Sequence, residues 1–133
     1  MRSIAVTVDD VVTALEAVER SGRPVVLRIT PPFYGRMRAR LHVAGGEGGY
    51  DGDVDPIHLD PRRLVDDDAP RYPEVDETED RLEAEEGYST EEHRARHVEA
   101  VERWRAAVRS HVVGSIVVDA PGGPHEIEVK RLG

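Results

Sequence analysis

The side chains whose type and spacing could do chemistry fall into two groups. They are a histidine pair, His93 and His97, and a set of arginines, Arg28, Arg36, Arg38 and Arg40, with Phe33 and Tyr34 between them. The histidines are four residues apart, so on a helix they share one face and could hold a metal ion together. The local sequence H-R-A-R-H has no glutamate beside His93, so the H-E-x-x-H pattern of metalloproteases is absent. A third ligand would have to be His42, His58, His111 or an acid. The competing reading is a pair of partly exposed helix residues. Asp51, Asp53 and Asp55 resemble the start of a calcium loop, but the glycine and glutamate that loop needs fall at Pro56 and Arg62. No serine lies in a nucleophile elbow. His58 with Asp60, or Asp53 with Asp55, can be written as acid–base pairs, but such pairs arise by chance in an acidic chain. No residue is therefore assigned a catalytic role and no cofactor is expected.

The arginines call for a different chemistry. Gly22 to Val43 contains no acidic residue and reads as a β-hairpin. Val25, Leu27 and Ile29 alternate with Val26, Arg28 and Thr30, and Met37, Ala39, Leu41 and Val43 alternate with Arg36, Arg38, Arg40 and His42. Pro31 and Pro32 stop the first strand, and Gly35 is expected to take a left-handed position before the second. Pairing Thr30 with Arg36 places Arg28 opposite Arg38 and Val26 opposite Arg40, leaving one face apolar and one basic. A one-residue slip would mix the faces. Opposed arginines repel, so acids from this chain or a partner should match them. Arginine also clamps phosphate while aromatic side chains stack on bases. The basic face, with Phe33 and Tyr34 at its tip, is thus a site for a partner or for nucleic acid.

Charge weighs against nucleic acid. The formal net charge of the 133 residues is −9, and it is unevenly distributed: +3 over residues 1–46, −13 over 47–99 and +1 over 100–133. All but one of the 18 basic residues are arginine, Lys130 being the exception. This composition fits a halophilic proteome or a GC-rich genome equally well. The absence of cysteine excludes disulfides and thiolate sites. MRSIAVTVDD places an acidic pair where a signal peptide needs an apolar run, and no stretch is long enough to span a membrane. The expected location is the cytoplasm, with no membrane partner.

The elements that must position these groups follow from periodicity. Ser3–Val8 reads as a strand, and the helix after it is capped by Asp9 or Asp10 and ended by Gly22. Ile57–Leu59 reads as a very short strand, followed by a helical turn with Asp60 as cap and Pro61 first. Residues 66–86 hold 11 acids and form an acidic, mobile connector anchored by Tyr72, Val75 and Leu82. A capping box at Ser89 and Glu92 opens a helix of about twenty residues, with Val101, Trp104 and Val108 on its core or interface stripe. Ser115–Val118 and His125–Arg131 form a second hairpin. Together these predict a single α+β domain over 1–133, a mostly antiparallel sheet covered on one face by two main helices. The function expected is a structural or protein-interaction module, self-association as a homodimer included. Nucleic-acid binding through residues 28–40 is the first alternative, and a small metal-dependent enzyme using histidines and carboxylates is the second.

Overall fold

The protein is seen here as a computed structural model that describes residues 1–45, 55–74, 90–120 and 122–133. Its class is α+β. The first strand, β1 (Ser3–Thr7), buries Ile4 and Val6 completely and leads straight into α1 (Val8–Ser21). The helix is capped by Thr7, ahead of the expected Asp9 or Asp10. The Thr7 hydroxyl accepts the Asp10 N–H at 3.0 Å, which leaves Asp9 and Asp10 in the first turn, where their charge favours the helix N-terminus. Gly22 closes α1 with φ 65°, donating its N–H to Val18 O at 2.9 Å. Val11, Ala14 and Leu15 face the core.

The hairpin expectation needs correcting. β2 (Val25–Ile29) pairs antiparallel with β4 (Arg40–Val43), so that Val25 meets Val43, Val26 meets His42, Leu27 meets Leu41 and Arg28 meets Arg40. This register lies two residues from the expected one. Residues 36–38 form a separate strand, β3, which runs parallel to β1 and places Met37 beside Ile4. The division falls at Ala39, which is fully buried and donates its N–H to Ala5 O at 3.0 Å. Because side chains alternate with a period of two, a two-residue shift keeps every apolar residue on its face. Alternation could not have distinguished the two registers. Gly35 has no positive φ; an added Cβ there would lie 3.1 Å from the end of the Arg2 side chain, while its carbonyl accepts the Arg2 and Ser3 N–H groups at 2.8 and 3.0 Å.

Two sheets result. One has the order β3-β1-β7-β6, with β6 (Ser115–Ala120) and β7 (Gly123–Leu132) forming the expected hairpin and β7 parallel to β1. The two ends of the chain therefore meet at its centre. The other has the order β4-β2-β5, where β5 (Ile57–Leu59) sets His58 opposite Arg28. A 3₁₀ turn over Pro61–Leu64 follows, capped by Asp60, whose Oδ1 accepts the Arg62 N–H at 3.0 Å. Leu64 joins Leu27, Ile29, Leu59, Val108 and Ile127 in one core shared by both sheets and the helices.

Helix α2 (Thr90–Val108) buries Val101, Trp104 and Val108, and its first half is largely exposed. The glycine–aspartate loop at Asp51 and Asp53, the anchors Val75 and Leu82, and the Ser89 end of the capping box lie outside the described residues. The first part of the acidic connector is tied to the end of α2. Trp104 Nε1 donates to Pro70 O at 2.9 Å, and Tyr72 stands edge-on to the indole at 5.0 Å between centroids. Asp66 N donates to His111 O, and Val113 N donates to Leu64 O, both at 2.9 Å. Trp104 is thus a core residue with its polar edge satisfied. Trp104→Ala should cost about 3–5 kcal/mol in urea unfolding. A loss below about 1 kcal/mol would show that the indole is not packed in this way.

Candidate anion-binding face

The three-stranded sheet buries Val25, Leu27, Ile29 and Leu59 on one side. The other side therefore presents the alternate residues. Across the strands Arg40, Arg28 and His58 form one row, and His42 stands beside Val26 in the next. Backbones on either side of a central strand lie about 10 Å apart, yet the His42 and His58 ring centroids are only 5.4 Å apart. The two imidazoles lean toward each other over β2. Arg28 Nη1 lies 3.3 Å from His42 Nε2, a bond that requires the imidazole nitrogen to accept. Arg28 Nε is buried without a hydrogen-bond partner among the described residues.

Among the described residues, three other arginines and one histidine lie against carboxylates. Arg105 clamps Glu16 with both Nε and Nη2, at 3.0 and 2.9 Å, linking α2 to α1. Arg62 Nε lies 2.7 Å from Glu19, Arg109 Nη1 lies 2.5 Å from Asp9, and His111 Nδ1 lies 2.9 Å from Asp66. The hydrogen bond to Glu19 raises the Arg62 pKa, and the bond to Glu16 does the same for Arg105. None of the ion pairs found among the described residues involves Arg28, Arg36, Arg38 or Arg40.

The expected four-arginine strip is divided. Arg28 and Arg40 oppose each other on the three-stranded sheet, whereas Arg36 and Arg38 belong to the four-stranded sheet, opposite Ser3 and Ala5. Arg38 also has a buried, unbonded Nε, and shares its sheet face with Lys130 across Ala5. Phe33 is half-buried against the core, and Tyr34 is 66% exposed. His93 and His97 are half-buried on α2, and each makes contacts of its own. Among the described residues no group of three or more His, Asp or Glu is placed to hold a metal ion. His42 and His58 were missed as members of a shared site. The alternation of Arg40 and His42 signalled the first; the second depends on the β2–β5 pairing, which leaves no local trace.

A groove of about 330 Å³ adjoins this face, lined by Val18, Pro24, Val25, Val26 and Pro61 together with Arg23, His58 and Asp60. A second groove of about 220 Å³ lies between α1 and the 66–74 segment and includes Tyr72 and Trp104. Burial raises the Tyr72 pKa, the Glu16 charge adds to the shift, and Arg20 and Arg105 oppose it.

The fold and site thus define a two-sheet α+β domain with a cationic sheet face. The chain belongs to the family described as "Domain of unknown function (DUF8009)", whose model matches residues 1–133. No curated protein and no solved structure matches it. Among the described residues no helix is long and apolar enough to cross a membrane.

Tyr72 yields a test of this geometry. A phenol whose pKa is raised on folding contributes stability that is full below its unfolded value and is lost as pH rises through the folded one. Stability should therefore fall above about pH 10. In the Tyr72→Phe variant that loss should shrink, and the tyrosinate absorbance should lose a late component. An unchanged alkaline profile would place Tyr72 in solvent.

Proposed function

We propose that the chain is a non-catalytic interaction module that takes an acidic segment of a protein partner on the outer face of the β4-β2-β5 sheet. The observation that carries this reading is the row of Arg40, Arg28 and His58 with His42 leaning over it, while Arg62, Arg105 and Arg109 are each matched to a carboxylate. Directly opposed like charges are destabilising, and a negative partner relieves the repulsion. Nucleic acid would require the arginines in a continuous strip that follows a phosphate backbone. Their division at Ala39 leaves two on each sheet, which favours a compact acidic segment.

The test uses Arg28→Gln/Arg40→Gln and, separately, Arg36→Gln/Arg38→Gln. Fluorescence anisotropy follows a labelled glutamate-rich peptide and mixed-sequence single- and double-stranded nucleic acid at ~50 and ~200 mM salt. The peptide should bind, and only the first pair of substitutions should abolish binding. That pair should also leave stability unchanged or raise it by about 0.2–1 kcal/mol, since it removes the opposed charges. Steeply salt-dependent nucleic-acid binding, weakened equally by both pairs, would overturn the proposal. A stability loss above about 2 kcal/mol in Arg28→Gln/Arg40→Gln would instead show acids of the same chain already matched to the face.

A further inference from the structure

The cationic face has more donors than a carboxylate can use. Arg28 has five N–H donors, of which one is directed at His42 Nε2 and another, on Nε, is buried out of a ligand's reach, leaving three. Arg40 stands directly opposite on β4 and His58 directly opposite on β5. A carboxylate offers two oxygens and a single negative charge, which one guanidinium satisfies in a bidentate pair. Two guanidiniums and two imidazoles on adjoining strands match a group with three terminal oxygens and a charge near −2.

The site continues past this cluster. His58 belongs to both the row with Arg28 and the groove of about 330 Å³, and Val26, between His42 and that groove, supplies part of its apolar wall with Val18, Pro24 and Pro61. A groove of this volume is at the lower end of those that hold small ligands. Arg23 and Asp60 also line it, one charge of each sign, and Asp60 Oδ1 accepts the Arg62 backbone N–H at 3.0 Å.

We propose that Arg28, Arg40 and His58, with His42 supporting Arg28, bind a phosphomonoester whose apolar body lies in the groove beside Val26. This rests on the reading of the same face as a binding surface and names the group it recognises. The oxyanion bridges Arg28 and Arg40, converting their repulsion into shared attraction. His58 donates from the groove side and sets the direction in which the ester body leaves.

The full chain is the reagent, and the readout is the imidazole and valine-methyl resonances of His42, His58 and Val26 by heteronuclear NMR. Inorganic phosphate, phenyl phosphate and acetate are titrated at constant ionic strength. Phosphate should shift both imidazoles and saturate with a Kd on the order of 1–10 mM. Phenyl phosphate should also move Val26 and bind roughly tenfold tighter, because its ring is removed from water. Arg28→Gln should abolish saturation, and Lys130→Gln, on the other sheet, should leave it unchanged. If Arg28→Gln fails to fold, His58→Gln, which replaces an exposed ring, should weaken phenyl phosphate binding about fivefold. Acetate shifting the same resonances as strongly as phosphate would overturn the proposal. Silence of both phosphate probes while the glutamate-rich peptide still binds would overturn it and leave the interaction reading standing. Silence of phosphate probes and peptide together would remove both.

Discussion

Strand β1 has hydrogen-bonding groups along both edges, and Ile4 and Val6 on its inner face are fully buried. Backbone polar groups removed from water must be paired, so β1 needs a neighbour on each side. β7 supplies one and residues 36–38 supply the other, with Ala39 N–H closing onto Ala5 O at 3.0 Å. That pairing takes residues 36–38 away from β2. Only Arg40–Val43 remain to pair with it, so Arg28 meets Arg40. The composition of the cationic face is therefore a consequence of how the four-stranded sheet is completed. Had residues 36–43 stayed together as one strand on β2, four arginines would have crowded one face. The division spreads them over two sheets and makes room for His42 and His58 around Arg28.

The cluster has a definite internal logic. Arg28 remains charged, and its Nη1 bond at 3.3 Å requires His42 Nε2 to offer a lone pair. Leaning His58 toward His42, with ring centroids at 5.4 Å, covers the stem of the central strand with aromatic surface. Opposed charges at this separation cost tenths of a kcal/mol to about 1 kcal/mol, small beside the burial of Val25, Leu27 and Ile29 on the opposite side of the same strand. The core can thus hold the arginines together with no carboxylate paired to them among the described residues.

What was legible in the sequence was what adjacent residues determine. The β6–β7 hairpin, the Asp60-Pro61 cap, the apolar face of β2 and the stripe of Val101, Trp104 and Val108 all follow from spacing and capping chemistry. The β2–β4 register did not, because a shift of two residues is invisible to a period of two. Parallel pairing of β1 with β3 and β7 joins segments distant in the chain and has no turn between them to announce it. The same holds for His58, which reaches Arg28 only through β5, and for Tyr72, whose contact with Trp104 crosses more than thirty residues. Thr7 displaced Asp9 and Asp10 as the cap of α1 because the strand runs directly into the helix, and several polar residues there were equally suited to the role.

The rest of the charge pattern bears on how a cationic face works in a chain of net charge −9. The Arg105–Glu16, Arg62–Glu19 and Arg109–Asp9 pairs lie on partly exposed side chains and contribute about 0–1 kcal/mol each, mainly orienting α2 and the Pro61 turn against α1. Each joins one charge of either sign, so the acidic surplus of the chain is untouched by them. An approaching anion therefore meets long-range repulsion from the whole molecule and, at this face, attraction within reach of Arg28, Arg40 and the two imidazoles. Salt screens these unequally. The Debye length is about 10 Å at 0.1 M, so added salt removes the distant repulsion first and weakens the close contacts less. Association with a compact acidic group should then depend only shallowly on ionic strength, in contrast to the steep dependence of a protein that displaces counterions along nucleic acid. Selectivity in such a site comes from the number and direction of donors at short range, which is where the pairing of β4, β2 and β5 has placed them.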